Sequence, residues 1–239
     1  MRNKKLPITF AVFYFAVFSA FIAAAIVGNR AITVMIQFSQ KPNRRTIVID
    51  AGHGGEDGGA TSCAGILESN INLEIALRLN DLMHLLGYDT VMVRTTDTAI
   101  HTKGNTIAAR KASDLKARVR LTNETENGLL ISIHQNYFTD ERYSGAQVFY
   151  PPTAGSEELG KILQRDVVAA LNPGSNRKAK RATGIYLMEH IACTGVLIEC
   201  GFLSNRVEEA KLRSPDYQKK LCCVIASSVS AFLQSASNI

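Results

Sequence analysis

Short apolar runs alternate along this chain with longer stretches of helical periodicity, and three of the runs end on a side chain able to bind a metal or carry a proton. They are Ile47-Val48-Ile49-Asp50, which leads into Gly52-His53-Gly54-Gly55, then Leu130-Ile131-Ser132-Ile133-His134, and Val196-Leu197-Ile198-Glu199. Runs that are apolar on both faces read as strands covered by helices on each side. Between them, Ile71, Ile75, Leu79, Leu82 and Leu86 recur at spacings of three and four, and Gly87 stops that helix. Further helices are expected over Ala108 to Thr122, over Glu157 to Leu171, and from Ser214-Pro215 to about Leu233. Tyr88 to Arg94, Gly145 to Tyr150 and Gly184 to Met188 complete a set of about six strands. The alternation predicts an α/β fold: a mostly parallel, twisted sheet with helices on both faces.

In such sheets ligands bind beyond the carboxyl ends of the strands. Strands ending in His53, His134 and Glu199 therefore deliver their side chains to one place, and Glu68 lies close to the first His at the start of a helix. Two imidazoles and one carboxylate make a catalytic zinc set, and the remaining Glu is free to carry a proton. The residues alone do not say which Glu does which. Each has a plainer reading. Glu68 suits the positive end of a helix, His134 suits a core histidine bonded to backbone, and Glu199 suits a buried ion pair. It is the coincidence of all four that favours a zinc hydrolase. Asp50 is placed to hold the second ring nitrogen of His53 or a nearby backbone group. Asn136 is a candidate donor to a substrate carbonyl. The Gly-rich turn lacks both the G-x-G-x-x-G fingerprint and the Lys of a phosphate loop. His84 lies within a helix and His101 in a polar loop, which leaves His190, at a predicted strand end, as the rival ligand.

The N-terminus sets a different constraint. No charge occurs from Leu6 to Asn29, while Arg2, Lys4 and Lys5 precede the stretch and Arg30 follows it. That length is enough to cross a bilayer as a helix, with the basic cluster on the cytoplasmic side. The expected organisation is a basic stub and membrane anchor over 1–29, a linker over 30–44 and a catalytic domain over 45–239. The catalytic domain is then extracytoplasmic, or secreted if the segment is cleaved near Ala23-Ala24-Ala25. The formal charge of +6 suits an acidic surface partner. No basic helix with interleaved aromatics marks a nucleic-acid binder. Five Cys, an odd number without zinc-finger spacing, read as small core thiols, with Cys222 and Cys223 in the last helix.

At these motifs the chain resembles the zinc-dependent N-acetylmuramoyl-L-alanine amidases, from about Thr46 to the C-terminus. The Gly-His-Gly-Gly turn follows Asp50-Ala51 where the family usually has Asp-Pro. Gly59-Ala60 and Gly65 lead to Glu68, Ser132-Ile133-His134-Gln135-Asn136 matches the second His motif, and Glu199-Cys200-Gly201-Phe202-Leu203-Ser204-Asn205 matches the last. Arg94-Thr95-Thr96-Asp97 is similar to the family's arginine loop. The resemblance implies that His53, Glu68 and His134 bind Zn²⁺ and that Glu199 is catalytic. It further implies that the bond cut is the amide between N-acetylmuramic acid and L-Ala in peptidoglycan. The anchor segment, together with Arg177-Lys178-Ala179-Lys180-Arg181 before Gly184-Ile185-Tyr186-Leu187-Met188, is similar to the sporulation-type members. Those act on spore cortex, and relatives are often controlled by a protein activator. Two other readings are a zinc peptidase cutting within the stem peptide and a non-catalytic wall-binding scaffold.

Overall fold

The computed structural model describes residues 45–101 and 103–236. The anchor over 1–29 and the linker over 30–44 lie outside the described residues, and among those described no helix is long and apolar enough to cross a membrane. Six strands and six helices follow one another: β1 (Thr46–Ala51), α1 (Glu68–Leu85), β2 (Thr90–Met92), α2 (Ile107–Glu124), β3 (Gly128–Asn136), β4 (Gln147–Tyr150), α3 (Ser156–Leu171), β5 (Lys180–Arg181), α4 (Tyr186–His190), β6 (Thr194–Phe202), α5 (Arg206–Leu212) and α6 (Pro215–Ala236).

The strands form one sheet in the order β2-β1-β3-β6-β4-β5. β1 pairs in parallel with both β2 and β3, and β3 with β6. β4 runs antiparallel to β6, so the sheet is mixed. The reason lies in the connection from β3 to β4, which carries no helix. A parallel partner needs a crossover long enough to return the chain to its starting end, whereas a bare loop turns it back.

Alternate residues of each central strand enter two cores. Ile47, Ile49, Leu129, Ile131, Ile133, Val196 and Ile198 pack on one face beneath α1, α3 and α6. Val48, Leu130 and Leu197 point the other way, toward Leu187, Met188 and Ile191 of the α4 region and the partly buried Val119 and Leu121 of α2. This two-sided burial is why the runs are apolar at every position.

Gly184 to Met188, expected as a strand, contributes instead to α4. Leu187, Met188 and Ile191 are its buried residues, a helical spacing rather than an alternation. Helix α5 was not anticipated, although Asn205 followed three residues on by Glu208 is a helix-start pattern. The Asn205 side chain accepts from the Val207 and Glu208 amides. Cys200 and Cys222 are buried as expected, but Cys223 on the other side of α6 is exposed, and no disulfide forms among the described residues.

The chain enters the sheet at β1, steps outward to β2 through α1, and returns across to β3 through α2 on the opposite face. The strand order therefore reverses at the β1–β3 boundary. That boundary is where a crevice opens at the carboxyl edge of a doubly wound sheet.

Candidate metal centre

His53 leaves the carboxyl end of β1 and His134 stands near the carboxyl end of β3, on either side of that crevice. Glu68, the first residue of α1, completes the group. One ligand atom from each of the three lies within 4.8 Å of the others. Glu68 Oε1 sits 3.3 Å from His53 Nε2 and 3.2 Å from His134 Nδ1, and the two imidazoles meet edge to face with centroids 5.0 Å apart. The predicted rival, His190, is exposed in α4, bonds to the Tyr186 carbonyl and belongs to no such cluster.

Local backbone makes this convergence possible. His53 itself takes a left-handed conformation (φ 62°), unusual for a residue with a side chain. Such a conformation persists only where its surroundings impose it. Here Arg118 Nη2 donates to the His53 carbonyl at 2.7 Å and Nη1 to the Ala51 carbonyl at 2.9 Å. Arg94, also buried, donates to the carbonyls of Ala51, Gly52, Ser69 and Thr96. Two glycines give the ligands room. A Cβ on Gly52 would overlap the His134 ring, and one on Gly59 (φ 68°) would lie 2.6 Å from Glu68 Oε2.

Each ligand is oriented by further bonds. Glu68 Oε2 accepts from the Ala60 amide at 3.0 Å, and Oε1 accepts from Asn72 Nδ2 and the Gln135 amide, both at 3.1 Å. Asn72 lies one helical turn after Glu68 and also donates to the Gly52 carbonyl. His53 Nδ1 donates to Asp57 Oδ2 at 2.9 Å, and Lys111 Nζ reaches the same carboxylate at 3.2 Å. Asp57 thus takes the place expected of Asp50. Asp50 instead pairs with Arg118 at 2.5 Å and accepts from Ser132 Oγ, so its role is to hold the guanidinium that shapes the turn. Asp57 and Asn72 escaped sequence reasoning, though each stands four residues from a ligand.

The electrostatics draw positive charge to this point. Burial lowers the His53 pKa, but its bonds to Asp57 and Glu68 outweigh burial and raise it to about 9. Burial pushes Glu68 up, while the bonds to His134 and His53 carry it well below the ordinary carboxylate range. A divalent cation supplies the charge that this donor set demands, and two imidazoles with one carboxylate, leaving a fourth position open, match a catalytic zinc site.

Glu199 stands on β6 directly beside His134 in the strand register. Its Oε2 is sealed from solvent and has no hydrogen-bond partner among the described residues. Burial raises its pKa to about 7, with the Glu68 charge adding to the rise and the imidazoles opposing it. A carboxyl poised there can take a proton and give it back near neutral pH. Asn136, two residues past His134, is half-buried where β3 bulges against β6.

Comparison with known proteins agrees with this geometry. A family model described as N-acetylmuramoyl-L-alanine amidase matches residues 47–231. The germination-specific N-acetylmuramoyl-L-alanine amidase of Bacillus subtilis is 42% identical over 187 residues, covering 77% of this chain and 76% of its own. The CwlD amidase of Clostridioides difficile, solved in complex with the GerS lipoprotein, superposes with a TM-score of 0.77 at 34% identity, covering 80% of this chain and 100% of that one. An N-acetylmuramoyl-L-alanine amidase of Clostridium difficile 630 gives a TM-score of 0.70 at 31% identity, over 81% of this chain and 99% of that one.

Proposed function

Because the chain belongs to the N-acetylmuramoyl-L-alanine amidase family, and so hydrolyses the amide joining N-acetylmuramic acid to L-alanine in peptidoglycan, we propose that it does so with Zn²⁺ held by His53, Glu68 and His134 and with Glu199 as its proton carrier. The observation that carries this reading is the meeting of the three ligand atoms within 4.8 Å beside an unpartnered carboxyl oxygen. When bound, zinc supplies Lewis-acid polarisation of the lactyl carbonyl and lowers the pKa of water toward ~7.

The protein side chains do the remaining work. Glu68 is fixed by three N–H donors, so its Oε1 faces the imidazoles in one orientation. Asp57 holds the proton of His53 on Nδ1 and so presents Nε2 to the ion. The Glu199 carboxylate accepts the proton of the attacking water, then returns it to the nitrogen of the departing L-Ala. Asn136 donates to the substrate at the rim. Burial, set against the opposing charge of the imidazoles, keeps the Glu199 pKa near neutrality and lets it serve in both directions.

We further place this activity in spore cortex maturation, with the domain held outside the cytoplasmic membrane by residues 6–29. The germination-specific relative supports the first point and the uncharged N-terminal stretch the second. A protein activator is part of this reading, supported by the relative solved with a lipoprotein.

Glu199→Gln tests the mechanism. The variant should keep zinc, measured by metal analysis, and lose about 10²–10⁴-fold in turnover, measured by mass spectrometry of muropeptides released from purified peptidoglycan. Near-normal release would remove Glu199 from its role. Products cut within the stem peptide would instead support the peptidase reading.

A further inference from the structure

Three aromatic side chains beyond the carboxyl end of β3 are exposed close together in sequence. Tyr137, Phe138 and Tyr143 are 52%, 49% and 47% exposed. Two of them are joined by ring contacts to a third, buried ring. Phe138 meets Tyr143 edge to face at 4.8 Å, Tyr143 tilts over the buried Phe202 at 6.2 Å, and the Arg177 guanidinium lies 5.0 Å from the Phe202 centroid. A basic run, exposed at Lys178, Lys180 and Arg181, continues from Arg177 along the edge strand β5.

This surface is prebuilt. The Phe138 amide donates to Ser204 Oγ, the Gly145 amide to Glu208, and Asn205 Nδ2 to the Glu141 carbonyl, while Arg177 donates to the Ser144 carbonyl. Helix α5 and the end of β6 thereby hold the loop that carries the aromatics. It is also continuous with the catalytic groups. Tyr137 comes directly after the last residue of β3, three positions past His134, Phe202 closes β6 three positions past Glu199, and Asn136 pairs with Phe202. At strand spacing the shelf begins about 10 Å from the reacting atoms.

We propose that this shelf binds the glycan strand next to the muramoyl residue being cut, stacking sugar rings on Phe138 and Tyr143, with Arg177 and the run to Arg181 meeting carboxylates of neighbouring stem peptides. The inference rests on the amidase reading above. A contiguous exposed apolar patch marks a binding surface, and an aromatic face attracts polarised C–H edges. Stem peptides built of alanine and acidic or diamino residues offer no broad apolar face, whereas each pyranose ring does. The guanidinium and ammonium groups suit the carboxylates that such peptides carry.

The test compares the full-length protein with the Phe138→Ala/Tyr143→Ala variant and with Arg177→Gln, on muramoyl-peptide substrates of one disaccharide repeat and of four or more. Zinc content and melting temperature check that the variants fold. In the wild type KM should fall about tenfold with length, the worth of two stacked rings. The double variant should lose that dependence with kcat retained, and Arg177→Gln should weaken it. A wild type without length dependence, or a double variant that keeps it, overturns the inference and leaves the shelf to a protein partner. Should no substrate be cut, it is activity without the proposed protein activator that fails. Cosedimentation with peptide-free glycan strands then still decides whether the shelf binds sugar, by whether the double variant loses binding.

Discussion

Replacing Arg118 by Met removes the cation ion-paired with a carboxylate that has almost no access to water. Asp50 is 1% exposed and Arg118 2%, and their ion pair spans 2.5 Å. Burial alone raises the Asp50 pKa, but the Arg118 charge, followed by that of His134 and the Ser132 hydroxyl, outweighs it and holds the group below its ordinary value of 3.8. Arg118→Met leaves that charge unpaired, with only Ser132 to bond it. Breaking one side of a buried pair costs about 3–5 kcal/mol, which in a domain of this size lowers Tm by about 10 °C. Urea unfolding of the metal-free protein at pH 7 measures the loss, and Asp50→Asn in the same background completes a double-mutant cycle with a coupling of about 1–3 kcal/mol. The pH dependence adds a second check. In the wild type the depressed Asp50 pKa contributes stability above pH 3.8 that is lost as pH falls through the folded value. In the variant burial outweighs the remaining His134 charge and Ser132 bond, so Asp50 titrates above its unfolded value and its penalty is present only at higher pH. The gap between the two proteins should therefore close as pH falls from 7 toward 4. A loss below about 1 kcal/mol at pH 7, or a gap independent of pH, would refute the account of Arg118 as the partner that makes Asp50 tolerable.

Gly52→Ala should leave the sheet folded yet weaken zinc binding, because its Cβ would displace the His134 ring; a chelator competition titration reads the change, and unaltered affinity would show that the ring has room to move. Asp57→Asn should speed zinc loss to a chelator and lower affinity about 10–100-fold, since it replaces the carboxylate that orients His53. Equal affinity would mean that Lys111 and the turn alone hold the ring.

Reading the sequence picked out the clustered groups because three of the four candidates stand where a strand runs out. Apolar runs mark the strands, and a polar residue closing such a run projects into the crevice. His53, His134 and Glu199 were legible for that reason, and Glu68 through its motif. What the sequence concealed was partnership across the fold. Arg118 lies within a helix of ordinary basic composition, and nothing nearby in sequence indicates that it faces Asp50, 68 positions away. Asp57 and Asp50 flank the same His, and only the path of the turn decides which carboxylate meets the ring. The direction of β4 was likewise hidden, because strand pattern does not encode orientation and the deciding fact was a connection without a helix. The α4 segment was mistaken for a strand because a run this short reads either way until its packing is known.

The groups at positions 53, 68 and 134 are far apart along the chain, with 66 positions between Glu68 and His134 alone. No short fragment contains all three, so an ion cannot nucleate this chain in the way it organises a small finger. On the zinc reading proposed above, architecture comes first and loading second: the fold is built before the cation arrives at a finished berth. Metal supply would then govern when the enzyme becomes competent, while its persistence is left to the two cores on either side of the sheet.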